Sequence, residues 1–137
     1  MPQDAATEHR KLTRNQGLVL SVLEGAGQPL SAYGILDRLR GEGLKAPLQV
    51  YRALDKLVEV GRVHRLESMN AFVVCCHSNH GHIHSRFTAF EICDACGKAS
   101  EFHDEAMEDA LMQHARNGRF KIRTTAIEVR GICRECR

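Results

Sequence analysis

Apolar positions recur at helical spacing three times before Gly61. Leu12, Val19, Leu20 and Leu23 fit one face of a first helix that Gly25-Ala26-Gly27 ends. Beyond Pro29, Ser31 is placed to cap a second helix on which Ala32, Ile35, Leu36 and Leu39 fall at i, i+3, i+4 and i+7 and so face a core. Tyr33 stands one step off that face, its hydroxyl toward the edge, and Gly41 and Gly43 close the helix. A third helix starts near Pro47, a favoured first-turn residue, and buries Val50, Ala53, Leu54, Leu57 and Val58. Its opposite stripe reads Gln49, Arg52, Lys56 and Glu59, polar and largely basic, and Gly61 stops it.

Two extended runs follow, 62–66 and 71–76, joined by Glu67-Ser68-Met69-Asn70. Three helices and then a hairpin is the order of a winged helix-turn-helix, whose third helix enters the major groove. The short connection Gly43–Ala46 suits that fold. The same pattern also fits a three-helix packing module with no nucleic acid, in which Gln49, Arg52 and Lys56 form a solvated surface.

After the hairpin the pattern changes. Residues 77–86 are polar and histidine-rich and read as a connector. Residues 87–92 read as a strand, and Asp104 is placed to cap a helix carrying Met107, Ala110 and Leu111 and leading to His114, which is expected in the core. Gly118 ends that helix. Residues 121–132 are extended, with Ile122 and Thr124 on one parity and Ile127 and Val129 on the other, which predicts a bulge near Thr125. The expected class is therefore α+β. Residues 1–76 form a winged-helix DNA-binding domain, 77–86 a hinge, and 87–137 a small β-α-β domain with an edge strand suited to pairing with a second copy.

Composition narrows the class. No apolar run approaches the roughly 20 residues needed to span a bilayer. Residues 1–66 carry +3 and residues 67–137 carry −1, so the N-terminal half is the better partner for a polyanion. Six cysteines without a secretory signal point to a reducing compartment, and the protein is expected in the cytoplasm.

Four of those cysteines form two knuckles, Cys93-Asp94-Ala95-Cys96 and Cys133-Arg134-Glu135-Cys136, each able to grip one metal ion from a tight turn. Four thiolates from two such turns make the usual structural zinc shell. Gly97 and Gly131 flank the knuckles and can take the positive φ such turns need. Disulfides do not suit a chain lacking a secretory signal, and a thioredoxin-like site needs a single CxxC. A zinc deaminase carries a Pro-Cys-x-x-Cys, and Ile92 precedes Cys93 here. An iron centre has the same ligand set.

Histidine is the other anomaly: His64, His77, His80, His82 and His84 make up five of the eight, within 21 positions. Taking Met69-Asn70 as a two-residue hairpin turn pairs Ser68 with Ala71 and His64 with Cys75, which puts an N/S pair side by side on one sheet face. Such a pair suits zinc. The connector supplies candidates for a third ligand and Glu101 a fourth, which would join the two halves of the chain.

With these residues assembled, the chain from about Leu12 onward resembles the ferric uptake regulator superfamily. Val50-Tyr51-Arg52-Ala53-Leu54-Asp55-Lys56-Leu57 and Gly61-Arg62-Val63-His64-Arg65 look like its recognition helix and exit. Ile92-Cys93-Asp94-Ala95-Cys96-Gly97 with Cys133 and Cys136 looks like its dimerisation-domain zinc site. Ser31-Ala32-Tyr33 and the pairing of His64 with Cys75 resemble the zinc-uptake-regulator branch most, since iron-sensing members usually place oxygen and nitrogen ligands there.

The resemblance implies two zinc ions per chain. One is structural, on Cys93, Cys96, Cys133 and Cys136; the other is regulatory, on His64, Cys75, His84 (with His82 as the alternative) and Glu101. It implies a homodimer that, when zinc-loaded, binds a palindromic AT-rich duplex and represses zinc-uptake genes, with Tyr33 and Arg52 reading bases. Gln49, Tyr51, Lys56, Arg65 and Arg14 complete the expected DNA contacts. Two departures stand out. The family's Thr-Pro-Gln-Arg appears as Thr13-Arg14-Asn15-Gln16, and its Thr-Val-Tyr-Arg as Gln49-Val50-Tyr51-Arg52. An iron or peroxide sensor on the same scaffold, and a zinc-stapled interaction module without DNA binding, are the alternatives. A hydrolase needs an open metal position beside a general base, and all eight expected ligands close their sites, so no enzyme is expected.

Overall fold

The structure, a computed structural model, describes residues 11–75 and 87–137. The chain divides into two compact units, Met1–His82 and Ile83–Arg137. The expected hinge at 77–86 lies outside the described residues.

In the first unit, α1 (Arg14–Ala26) opens on a reciprocal cap. The Thr13 hydroxyl accepts from the Gln16 N–H at 3.3 Å, and Gln16 Oε1 accepts from the Thr13 N–H at 3.1 Å. Ser31 caps α2 (Ala32–Leu39) by accepting from the Gly34 N–H at 3.0 Å. A 3-10 turn, Arg40–Glu42, then leads through Gly43 to α3 (Pro47–Glu59). Val19, Leu20 and Leu23 of α1, Ile35, Leu36 and Leu39 of α2, and Val50, Ala53, Leu54 and Leu57 of α3 share one core. Each large aliphatic side chain buried there contributes about 1.5–3 kcal/mol. Val58 does not join them: it is 38% exposed, because it lies a quarter-turn off the centre of the buried stripe.

The end of α3 is fixed tightly. Gly61 takes φ +77. Its N–H donates to the Val58 carbonyl at 3.0 Å, and the next N–H, of Arg62, donates to the Leu57 carbonyl at 2.9 Å. This double closure is a Schellman motif, and it delivers the chain directly into β1 (Val63–Leu66), which pairs antiparallel with β2 (Ala71–Val74). Leu30 adds a bridge to Phe72 on the far side of β2.

The hairpin register differs from the expected one. The loop is the four residues Glu67–Asn70, with Asn70 at φ +48, so Leu66 faces Ala71 and His64 faces Val73 rather than Cys75. Cys75 instead donates its N–H to the Arg62 carbonyl at 2.9 Å. The slip is two residues, so it leaves face parity unchanged: His64 and Cys75 remain on one side of the ribbon as diagonal neighbours.

In the second unit β3 (Phe87–Cys93) is the central strand, with Phe87, Ala89, Phe90, Ile92 and Cys93 buried. It pairs antiparallel with β4 (Ala99–Phe102), a strand the sequence pattern did not reveal, and parallel with β5 (Thr125–Gly131), in the order β4-β3-β5. The strand begins only at Thr125, so the parity change before it marks irregular chain, not a bulge. Gly131 is a strand residue opposite Cys93, while Gly97 does take φ +76.

Asp104 caps α4 (Glu105–Asn117), accepting from the Met107 N–H at 3.0 Å. The helix turns a different face inward from the expected one. Glu108, Leu111 and Ala115 are the more buried positions, one residue-step round from Met107, Ala110 and His114, and His114 is exposed. Glu108 is held there by His103 Nε2 at 2.8 Å. The helix stops at Asn117, and the left-handed residue beyond it is Arg119 at φ +54 rather than Gly118.

Candidate metal centres and nucleic-acid face

The two knuckles meet at one end of the second unit's sheet. The backbone builds each turn: Gly97 N–H donates to the Cys93 carbonyl at 2.9 Å, and Cys136 N–H to the Cys133 carbonyl at 3.1 Å. The four sulfurs of Cys93, Cys96, Cys133 and Cys136 all lie within 4.8 Å of one another, and Cys96 and Cys133 Sγ are 3.8 Å apart. Zn–S bonds of about 2.3 Å at tetrahedral angles separate two sulfurs by about 3.8 Å. Donor set and spacing therefore fit a zinc ion. Four thiolates would fill its shell and leave no open position for chemistry.

The electrostatics agree. Cys93 Sγ receives the Cys133 N–H at 3.3 Å and the Cys96 N–H at 3.5 Å. Those two donors, Cys133 first, bring the Cys93 thiol down to about 6 against a smaller effect of burial. Cys136 is pushed up to about 12, chiefly by the Cys133 sulfur and then by that of Cys96. Sulfurs this close cannot all ionise without a cation to hold them, and a divalent ion reverses that penalty.

Two residues that sequence reasoning passed over tie the knuckles together. Asp94 donates its N–H to the Gly131 carbonyl at 2.8 Å. Its carboxylate accepts from Arg130 Nε at 2.8 Å and Nη2 at 2.6 Å. An acidic residue inside one CxxC and a basic one three before the other was the available signal.

Part of the second expected site lies within the first unit. The ligand atoms of His64 and Cys75 come within 4.8 Å of each other, with Cys75 buried and His64 half-buried. Glu101 is on β4, opposite Phe90, in the second unit. His84 and His82 lie outside the described residues.

On the first unit, Tyr33 is 61% exposed and Arg52 is exposed on α3 beside a cleft formed with Thr13, Asn15, Gln16 and Gln49. Lys56 pairs with Glu59 at 3.3 Å. Arg65 reaches Asn70 Oδ1 at 3.3 Å and Glu67 at 3.7 Å. Arg14 donates to the Glu42 carbonyl at 3.0 Å. Tyr51 is half-buried and packs against the core.

The sequence model of the Ferric uptake regulator family matches residues 7–130 of this chain. The chain belongs to the ferric uptake regulator family. Within that family it is 38% identical to the Zinc uptake regulation protein of Escherichia coli (strain K12), over 96% of this chain and 75% of that protein. It is 30% identical to the Ferric uptake regulation protein of Legionella pneumophila, over 92% of this chain and 90% of that protein. A solved zinc uptake regulator complexed with zinc and DNA superposes with a TM-score of 0.83 at 38% identity, covering 92% of this chain and 83% of that one.

Two departures from the ferric uptake regulator pattern acquire a physical reading. Thr13 and Gln16, in the altered first-helix motif, make the reciprocal cap of α1. Gln49, at the position of the family's threonine, turns its side-chain oxygen back to accept from the Lys45 and Ala46 N–H groups at 3.1 and 3.3 Å. The residue that differs from the family thus secures the start of α3.

Proposed function

We propose that this chain is a zinc-responsive transcriptional repressor that works as a homodimer on a palindromic AT-rich duplex and represses zinc-uptake genes from the cytoplasm. One observation carries the reading. A sulfur–nitrogen pair, His64 and Cys75, stands on the hairpin immediately after the helix with the exposed Arg52, in a different unit from the four-cysteine cluster. A chain that needed zinc only as a staple would need only the cluster.

The coupling runs through short covalent and hydrogen-bonded steps. The Schellman closure of α3 leaves only Val60, Gly61, Arg62 and Val63 between that helix and His64. Cys75 is bonded to Arg62 from the other strand. Fixing His64 and Cys75 therefore fixes the setting of α3. On the family pattern Glu101 and a connector histidine, His84 or His82, complete the ligand set. Ligands drawn from both units would set the angle between them, which a metal-driven switch requires. In that site the metal supplies a strong cross-link between residues; it has no catalytic task.

The second unit supports dimerisation. Met107, Met112, Phe120, Val129 and Ile132 are between 37% and 70% exposed, apolar side chains available to a second copy. The sulfur of Cys75 favours zinc over iron as the sensed metal.

The test is zinc stoichiometry per chain together with duplex binding, for wild type and Cys75→Ala. The variant should lose one zinc and its zinc-dependent DNA affinity while staying dimeric. One tightly held zinc in both proteins, with DNA binding indifferent to metal, would leave only the structural staple. Selective iron binding would move the reading to the iron-sensing alternative.

A further inference from the structure

Leu48 is 56% exposed in the first turn of α3. A lone exposed leucine is ordinary on a protein surface. Its position on this helix is not. Successive residues turn by about 100°, so Leu48 and Arg52, four apart, stand one above the other. Both point away from Val50, Ala53, Leu54 and Leu57, the buried face of the same helix. Leu48 is thus the apolar member, one turn nearer the N-terminus, of the stripe on which Arg52 is exposed.

In helix-turn-helix proteins the N-terminal residues of the recognition helix are those that meet base edges. The edge of the major groove offers hydrogen-bond donors and acceptors for every base but only one aliphatic group, the C5-methyl of thymine. An alkyl side chain at this place has one matching partner there. Gln49 beside it is turned back onto the backbone of Lys45 and Ala46, which leaves Leu48 the forward-facing side chain of the turn.

We propose that Leu48 is a specificity-determining residue that reads a thymine methyl group, one helical turn from the base step addressed by Arg52. The assignment rests on the DNA-binding reading above. It adds a hydrophobic requirement at one thymine in each half-site.

The experiment uses the full zinc-loaded chain and a duplex it selects from a random-sequence pool. Each thymine is replaced in turn by deoxyuridine, which removes the methyl group and preserves pairing, and Kd is measured for wild type and Leu48→Ala. In wild type one symmetry-related thymine should show a loss of about fourfold per methyl contact. Leu48→Ala should bind the thymine duplex that much more weakly and be indifferent to the replacement at that position. Circular dichroism and zinc content confirm that the variant is folded. An identical deoxyuridine profile in both proteins would overturn the assignment and leave the DNA-binding reading standing. Failure to select any duplex would sink both.

Discussion

Arg130→Ala should loosen the four-cysteine centre without dismantling it. Arg130 directs Nε and Nη2, at 2.8 and 2.6 Å, to one oxygen of Asp94, the residue immediately after Cys93. The two side chains are 50% and 45% exposed, so solvent screens the pair and its worth is about 1 kcal/mol, the upper part of the range for exposed ion pairs. The backbone bond from Asp94 to Gly131 survives the substitution, so the knuckles should still meet. A contribution of about 1 kcal/mol corresponds to roughly fivefold faster zinc transfer to an excess of a chromophoric chelator at neutral pH. Asp94→Ala should give the same acceleration, and the double variant no more than either single one, because both remove one interaction. Unchanged rates, or effects that simply add, would show that the ion pair does not hold the knuckles together.

Three other outcomes follow from the geometry. Gly61→Ala places a β-carbon on a residue at φ +77 and should cost the first unit about 1–2 kcal/mol, read as a lower urea midpoint with unchanged slope; an unshifted midpoint would refute the strain argument. Cys96→Ala should abolish tight zinc retention by the second unit and with it the dimer, measured by metal analysis and light scattering; a zinc-retaining dimer would contradict the four-thiolate assignment. Cys93 has its thiol lowered to about 6, so zinc must displace its proton below that pH but finds it ionised above. Calorimetric proton release on zinc binding should therefore rise as pH falls through about 6, and a release independent of pH between 5 and 7 would refute the lowered Cys93 thiol. The same depressed thiol favours the folded apo unit above its unfolded value, and that contribution is lost as pH falls through about 6.

Local signals in the sequence marked most of the framework. Helical spacing identified the faces of α1, α2 and α3 except at Val58, and Ser31 and Asp104 were recognisable as caps because a cap satisfies backbone groups only a few residues away. The cysteine knuckles were legible for the same reason, since a CxxC turn is a local object. The expected hairpin register failed by two residues. Composition does not fix turn length, yet the N/S pair survives because strand side chains repeat with a period of two.

What the chain alone left open depends on contacts distant in sequence. The strand β4 is four residues long and is defined by pairing with β3 rather than by its own pattern. The inward face of α4 is one residue-step from the one its apolar spacing suggested. Two apolar faces compete on that helix; on the one turned inward, Glu108 is paired with His103, and Glu108 and Leu111 line a small cavity with Phe87, Ile122 and Thr125. The Asp94–Arg130 clamp joins residues 36 apart and exists only once β3 and β5 lie parallel. The sequence by itself determined which residues could meet a metal or turn away from a core, because periodicity and capping act over a few residues. Register, helix rotation and the clamp of Asp94 on Arg130 were decided only in the folded chain, where competing local arrangements are separated by long-range packing.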